Sequence, residues 1–513
     1  MNNVIKIIIG SGFAVAVAFY ANGLVDNSVH GGFLVLAAVF GAYMAMNIGA
    51  NDVANNVGPA VGSGALTITG AIIIASIFEA SGALIAGGDV VGTIKKGIID
   101  PIAFGDDPMI FVYAMSAALL SAALWLNLAT WLKAPVSTTH SIVGGVLGGG
   151  IAAGGFAIVS WGTMGKIALS WIISPVLGGL IAAIFLYIIK SQILYKEDMI
   201  NSAKKMVPIL VAIMTTAFIT YLTLKGLKKV WPDIVQILSF LPDTKKPTFL
   251  IAFIFGLIGG VGTYFFTKPN IEKRVKELKN NREDINKLFT IPLIFSAALL
   301  SFAHGANDVA NAVGPLAAVY DALVNVEVST KVAIPLWVMI TGGLGIAIGL
   351  ALFGPRLIKT VGSEITELDK MRAFSIMMAA SITVVIASQL GLPVSSTHIA
   401  VGAIFGVGFL REWIDSKDMR ENEKELEEAI VLQTDLKKYY KKIEKKEDFP
   451  KQLELINELK EKKKEIKLMK KGLRENYIKK GMVKKIITAW IITVPVAAIM
   501  SAIIFFVLKG IGI

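Results

Sequence analysis

Apolar residues run through this chain in long blocks, separated by short polar or charged stretches. One block is N-terminal, Val4–Val25. Five lie between Gly32 and Ile189, two are central, and five lie between Ile291 and Leu508. Leu66–Gly88, Ile110–Leu132, Phe249–Phe266 and Ile487–Leu508 are clear examples. A helix needs ~20 apolar residues to cross hydrocarbon, so the pattern predicts an all-α polytopic membrane protein of about 12–13 apolar segments. The N-terminal block carries one lysine and lacks a small-x-small cleavage pattern followed by a soluble domain. It is therefore expected to remain as a helix.

The polar interruptions repeat. Gly-Ala-Asn-Asp-Val-Ala-Asn runs from Gly49 to Asn55 and again from Gly305 to Asn311, each copy continuing into Val-Gly-Pro at Val57–Pro59 and Val313–Pro315. A Pro-Val-Ser-Thr-Thr-His stretch, Pro135–His140, trails the first copy, and Pro393–His398 trails the second. Two motifs in the same order at nearly the same separation divide the chain into related halves. The copies lie an odd number of segments apart, so they are expected to cross the membrane in opposite directions. This predicts two inverted-topology repeats with broken helices and re-entrant hairpins. The expected organisation is an extra N-terminal transmembrane segment at 1–30, a first repeat at 31–192 and central linker helices at 193–288. The second repeat occupies 289–410 and closes with a last transmembrane helix at 485–513. A charged helical hairpin, 411–484, is inserted within it.

Charge supports the same division. Hydrophobic residues make up 54% of the chain and the net charge is +12; the mean hydropathy is +0.66. Lys190–Lys205, Lys268–Lys287, Arg356–Arg372 and Arg411–Lys485 are basic and follow even-numbered segments. Such loops mark the cytoplasmic face of a plasma-membrane protein, with the 411–484 insertion inside, more than a nucleic-acid partner. One odd loop, Lys225–Lys246, carries five lysines against the trend. The absence of cysteine excludes disulfides, thiolate metal sites and cysteine nucleophiles. Within Lys417–Lys484, Leu453, Ile456, Leu459 and Ile466 recur at helical spacing and Asp448-Phe449-Pro450 interrupts the run, predicting two antiparallel helices joined near Pro450.

An aspartate within hydrocarbon costs at least ~2.5–3.5 kcal/mol, so it persists only if paired, hydrated or bound. Asp52 and Asp308 have no nearby Lys or Arg in sequence and are surrounded by Asn51, Asn55 and Asn56, and by Asn307 and Asn311. Gly58-Pro59 and Gly314-Pro315 are expected to break the helix and free backbone carbonyls. Carboxylate, amide and carbonyl oxygens suit Na⁺, or a proton on the Asp; without His or Cys in the cluster, a transition metal is not indicated. Each Ser/Thr stretch reads as a helix start, Ser137 or Thr138 capping the first. A helix N-terminus with added hydroxyls can hold a tetrahedral oxyanion without arginine. Glu79 is a further intramembrane carboxylate with no matching acid in the second half. With His140 and His398 it is a candidate for proton coupling, against satisfied structural roles.

These paired motifs make the chain resemble the inorganic phosphate transporter (PiT) family of secondary symporters, over most of Gly32–Ile189 and Ile291–Leu508. The resemblance implies phosphate uptake driven by Na⁺ or H⁺, with no enzymatic activity and no resident cofactor. It maps Asp52, Asn55, Asp308 and Asn311 onto cation ligands. Ser137, Thr138, Thr139, Ser395, Ser396 and Thr397 become anion ligands, with Asn51 and Asn307 as further phosphate-binding candidates. Expected partners are inorganic phosphate, the coupling ion and the lipid bilayer, with a homodimer as the candidate assembly. The N-terminal segment and the placement of the 417–484 hairpin depart from the common pattern. A sulfate permease, an anion channel and a sensor signalling through that hairpin are the alternative readings.

Overall fold

The computed structural model describes residues 2–24, 31–100, 104, 107–132, 134, 136–228, 230–238, 241–324, 334–364, 368–443, 449–473 and 480–511. Among these the regular structure is helical, with one isolated bridge between Ile99 and Val159. α1 (Asn3–Asn22) precedes the first half, which runs α2 (Gly31–Asn51), α3 (Val53–Gly62), α4 (Ile68–Ala86), α5 (Gly88–Lys96), α6 (Pro108–Trp131), α7 (Thr138–Gly154) and α8 (Trp161–Ile189). α9 (Met199–Gly226) packs against α11 (Phe249–Arg274), with the short α10 (Trp231–Ile237) between them in sequence. After α12 (Arg282–Leu288) the second half repeats the order as α13 (Thr290–Asp308), α14 (Ala310–Val324), α15 (Leu336–Glu364), α16 (Lys370–Gln389) and α17 (Ser396–Ile443). Beyond α18 (Phe449–Leu473) it ends with α19 (Lys480–Ile511).

Eleven helical stretches among the described residues are long and apolar enough to cross a membrane. The other two apolar blocks are α7, which has 17 residues, and the start of α17, whose apolar run ends where charged residues begin after Leu410. Both begin at the Ser/Thr stretches, and those stretches are buried inside the bundle rather than exposed at its edge. Ser137 is the cap of α7: its hydroxyl accepts from His140 N at 3.0 Å. Ser395 caps α17 in the same way, accepting from His398 N at 3.2 Å.

The expected helix breaks at Gly58-Pro59 and Gly314-Pro315 are not where the chain is interrupted. Pro59 lies inside α3 and Pro315 inside α14. Proline crowds the Cβ of the residue before it, and a glycine there has none, so Gly58 and Gly314 let the helices continue. The interruptions fall earlier, at Asp52 and Val309. At Asp52 the backbone stays near helical angles (φ −87°, ψ −36°) but tightens, with Asn55 N and Asn55 Nδ2 each donating to the Asp52 carbonyl at 3.0 Å. The prolines still remove the donors that would have reached the carbonyls of Asn55 and Asn311, four residues before them.

Glycines set the helix crossings. A Cβ on Gly49 of α2 would stand 1.9 Å from the Ile346 carbonyl oxygen of α15, and one on Gly305 of α13 would stand 2.1 Å from the Glu79 carbonyl oxygen of α4. Each motif glycine thus meets the equivalent helix of the other half. α7 meets α19 at Gly148 and Ala498, and α17 meets α8 at Gly406 and Gly179, with similar closeness. Small residues let helix backbones approach where lipid offers no hydrophobic drive between them. Gly49→Ala is expected to destabilise the purified protein by about 1–3 kcal/mol through forced separation of α2 and α15. A thermal melt in detergent indistinguishable from wild type would contradict that crossing.

α5 ties the first half to its surroundings. Thr93 donates to the Gly391 carbonyl at 2.7 Å, and Lys95 pairs with the buried Asp321 of α14 at 2.8 Å. Asp89 pairs with Lys225 and Lys228, which accounts for two of the five lysines in the anomalous loop. Burial alone would raise the Asp89 carboxyl, but the two ammonium groups outweigh it and hold it below its usual range.

The helices group into two compact units, Met1–Val407 with Lys484–Ile513, and Gly408–Val483. The second unit contains the charged insertion. Pro450 falls in the first turn of α18, and residues 444–448 lie outside the described ones. Its less exposed positions on α18 are Leu455, Ile456, Leu459, Lys462, Glu465 and Ile466, while Leu453 is 64% exposed. Ile456, Leu459 and Ile466 of the expected stripe therefore face inward, and Leu455 takes the place of Leu453. On α17, Leu426, Ala429, Gln433, Leu436 and Tyr440 recur at alternating spacings of three and four, the spacing of a helix seam.

Candidate functional site

The two Asp-Asn turns and the two Ser/Thr tips meet. Asn51, Asp52, Ser137, Thr138, Thr139, Asp308 and Thr397 are fully buried, and Asn55, Asn307, Asn311, Ser395 and Ser396 nearly so. The Thr138 hydroxyl lies 2.7 Å from Asp52 Oδ2 and 3.0 Å from Asp308 Oδ2. Thr397 donates to Asp52 Oδ1 from the other tip. The amides cross as well: Asn55 Nδ2 donates to Thr397 Oγ1 at 2.9 Å, and Asn311 Nδ2 to Thr138 Oγ1 at 3.1 Å and Thr139 Oγ1 at 3.2 Å. Thr139 itself donates to the Val394 carbonyl at 2.9 Å. Each half supplies an asparagine to the tip of the other, so neither half forms the cluster alone.

Asn51 and Asn307 do a different job. Asn51 Nδ2 donates to Thr130 Oγ1 at 2.9 Å and to the Ala134 carbonyl at 3.2 Å, while its Oδ1 accepts from Val136 N at 3.2 Å. Asn307 repeats this with Ser388 Oγ at 3.0 Å, the Leu392 carbonyl at 3.1 Å and Val394 N at 3.4 Å. Each therefore holds its own half's tip in place through backbone groups. Pro135, the first residue of one tip motif, lies outside the described residues.

Glu79 joins this centre through a residue the sequence pattern did not single out. Its Oε2 is 2.7 Å from His304 Nδ1, and its Oε1 accepts from Asn56 Nδ2 at 2.8 Å. His304 Nε2 lies 3.1 Å from Asp308 Oδ2 and 3.9 Å from Asp52 Oδ2. Asp52, His304 and Asp308 bring their ligand atoms within 4.8 Å of one another, a spacing that could hold a metal ion. The twin of His304, one residue ahead of the other Gly-Ala-Asn-Asp, is Ile48. The twin of Glu79, at the equivalent glycine crossing, is Ile346. The crossing of α4 with α13 carries a polar pair where the equivalent crossing of α15 with α2 is apolar, so Glu79 has no matching acid in the second half. Comparing the residues just ahead of the two motifs would have pointed to His304.

His140 and His398 lie behind the tips. Their ring centroids are 4.3 Å apart, with Trp171 3.8 Å from His140 and Trp490 3.6 Å from His398. Trp171 also donates from Nε1 to the Pro393 carbonyl at 3.3 Å, fixing the start of the opposite tip. Neither tryptophan stands out in the sequence, although each opens a Trp-Ile-Ile run, at Trp171–Ile173 and Trp490–Ile492. The two imidazoles meet edge to face, each tilted against one tryptophan. Trp171→Phe keeps the aromatic cluster but removes the donor. It is expected to destabilise the purified protein by about 1 kcal/mol, the worth of one hydrogen bond. A thermal melt in detergent indistinguishable from wild type would remove Trp171 from any part in holding the tip.

The charge balance is unusual. Three carboxylates, Asp52, Glu79 and Asp308, surround one histidine, and all four residues are buried. The buried lysines Lys95 and Lys225 pair elsewhere. Asp308 Oδ1, Asn311 Oδ1 and the Ser396 hydroxyl have no hydrogen-bond partner among the described residues. Buried charge of one sign is stable only with a counter-charge. The donor set, all hard oxygens with one imidazole beside them, fits a small cation.

Known proteins resemble this chain over nearly its whole length. A family sequence profile described as "Phosphate transporter family" matches residues 48–501. The chain is 47% identical over 519 residues to a protein of Helicobacter pylori named "Putative phosphate permease", covering 98% of this chain and 94% of that one. It is 36% identical over 483 residues to a protein of the same description from Pyrococcus abyssi, covering 94% and 99%. A solved structure described as "The sodium-dependent phosphate transporter" superposes with a TM-score of 0.73 at 32% identity, covering 93% of this chain and 99% of that one. With the matched residues embracing both motif pairs and the buried cluster they build, the chain belongs to the phosphate transporter family.

Proposed function

We propose that the protein imports inorganic phosphate across the plasma membrane by symport with Na⁺, through alternating access between two inverted repeats. Asp52, Asn55, Asp308 and Asn311, with the carbonyls of Asn55 and Asn311 released by the prolines, bind the cation. Thr138, Thr139, Ser396 and Thr397 bind the phosphate oxygens at the two helix N-termini, and Asn51 and Asn307 position those tips. Ser137 and Ser395 cap the helices that present them.

The observation that carries this reading is the Thr138 hydroxyl, within hydrogen-bond distance of both Asp52 and Asp308. In this arrangement the tip hydroxyls serve the carboxylates. A cation bound by the carboxylates takes over that role, and the hydroxyls turn to the anion. Each ligand then favours the other, and linkage makes the effect reciprocal. The solved likeness is described as sodium-dependent, which favours Na⁺ over H⁺ as the coupling ion. Rocking of one repeat-built bundle against the other would open the buried cluster to each side in turn. The 411–484 hairpin stands on the cytoplasmic side in this reading.

The test is uptake of radiolabelled phosphate by proteoliposomes, with Na⁺ and pH gradients imposed separately and sulfate as competitor. Accumulation above the outside concentration under a Na⁺ gradient alone is expected. Accumulation under a pH gradient alone would assign the coupling to H⁺, and flux that never exceeds equilibrium would replace symport by a channel.

A further inference from the structure

Four successive carbonyls lead into the second tip, and each accepts a hydrogen bond from a side chain on a different helix. Thr139 of α7 donates to Val394 at 2.9 Å, Trp171 of α8 to Pro393 at 3.3 Å, Asn307 of α13 to Leu392 at 3.1 Å and Thr93 of α5 to Gly391 at 2.7 Å. The first three donors belong to the tips, the Asn-Asp motif and the aromatic cluster. Thr93 belongs to none of these, and its bond is the shortest of the four. Gly391 has φ +66°, a conformation that glycine alone adopts readily, so the turn facing Thr93 is built into the sequence. A Cβ on Gly391 would lie 3.7 Å from Thr93 Oγ1 and 3.9 Å from the Asp89 carbonyl oxygen, so this turn rests on α5. The other side of α5 meets α14. A Cβ on Gly314 would stand 2.9 Å from Ile94 Cγ2, and Lys95 pairs with the buried Asp321 at 2.8 Å. Thr93 and Lys95 are two positions apart, about 200° around a helix of 3.6 residues per turn, and so act on opposite sides.

We propose that α5 is a strut between the cation ligands of the second half and the second anion tip, with Thr93 and Lys95 as positioning residues. The proposal rests on the reading of the protein as a Na⁺-phosphate symporter. α14 begins at Ala310, directly after the turn at Val309, and carries the cation ligand Asn311. Gly314, where α5 touches it, is one helical turn further on. A cation that repositions Asn311 shifts this end of α14. Ile94 and Lys95 pass the shift to α5, and Thr93 passes it to Gly391, six residues ahead of Thr397. α5 has nine residues, and Asp89 anchors its first turn to Lys225 and Lys228, so it transmits a displacement instead of absorbing it. The side chains of Asp308 and Asn311 bond to the first tip, through Thr138 and Thr139. α5 links the same turn to the backbone of the second tip. Two sites are coupled when both bias the position of one shared element, and α5 is placed to be that element.

The test is equilibrium binding of radiolabelled inorganic phosphate to the purified full-length protein, at low and at saturating Na⁺ with choline keeping the ionic strength constant. The ratio of the two Kd values measures the coupling. Thr93→Val keeps the shape of the side chain and removes the donor. It is expected to lower that ratio about fivefold, the worth of one hydrogen bond. Thr93→Ser, which still donates, should keep the wild-type ratio. A residue that only stabilises the fold would weaken binding equally in both conditions and leave the ratio unmoved. Lys95→Met should also lower the ratio, and adding Thr93→Val should lower it no further, because both changes interrupt one strut. Should Lys95→Met fail to fold with Asp321 left buried and charged, Lys95→Met with Asp321→Asn takes its place. The proposal is overturned if Thr93→Val keeps the wild-type ratio, if Thr93→Ser lowers it as far as Thr93→Val, or if the losses from Thr93 and Lys95 multiply. A wild-type Kd that ignores Na⁺ would overturn the symport reading and the strut together. A Na⁺-dependent wild-type Kd with an unaffected Thr93→Val would overturn the strut alone.

Discussion

Replacing Asp52 by Asn is expected to reduce Na⁺-driven phosphate uptake at least ~100-fold, a loss of about 2.8 kcal/mol at about 1.4 kcal/mol per decade. The substitution keeps the shape of the side chain and removes its charge. Asp52 takes hydrogen bonds from Thr138 at 2.7 Å, from Asn55 at 3.1 Å and from Thr397, and it is fully buried. Bonds to an ionised acceptor are roughly twice as strong as neutral ones, so all three weaken together. The cation loses a charged ligand at the same time. Uptake assays in proteoliposomes, beside a gel-filtration profile that confirms folding, give the answer. Normal Na⁺- or H⁺-driven uptake by the variant would sink the cation assignment.

Thr138→Val is expected to raise both the phosphate KM and the Na⁺ half-saturation concentration, each by tenfold or more. Valine matches threonine in shape but cannot donate. One hydroxyl then no longer serves Asp52 Oδ2 and Asp308 Oδ2, and Asn311 Nδ2 loses an acceptor at 3.1 Å. Leaving such buried groups without a partner costs about 1–3 kcal/mol, more for charged ones. The joint shift is the point: if this hydroxyl couples cation binding to anion binding, its loss must appear in both affinities. A change confined to the phosphate KM would mean that the two ligand sets are independent. Thr139→Val is the contrast, because Thr139 donates to a backbone carbonyl and touches neither carboxylate.

Much of the membrane architecture was legible because lipid makes a simple demand on sequence. Helices such as α4, α6 and α11 need little beyond length and apolarity, and their positions follow from the hydropathy pattern alone. The twin motifs identified the polar residues that meet, since Asp and Asn persist in hydrocarbon only where they find a partner or a ligand. The local rule for proline was less reliable. Pro59 and Pro315 predicted breaks at their own positions, yet the preceding glycines allow the helices to continue and the turns form at Asp52 and Val309. On α18 Ile456, Leu459 and Ile466 face inward but Leu453 gives way to Leu455, since neighbouring apolar residues offer more than one stripe and only packing chooses between them.

Sequence by itself determined the membrane class, the division into two halves and the residue types available at the centre. These depend on composition and local repetition. Tertiary structure decided which of those residues share an atom. Asn55 and Thr397 are 342 positions apart and Thr138 and Asp308 are 170 apart, so no local pattern could pair them. It also decided that the centre is lopsided, with Glu79 and His304 on one side where Ile346 and Ile48 stand on the other. Repetition reports what two halves have in common, whereas a contact between unlike residues becomes visible only when the helices carrying them cross.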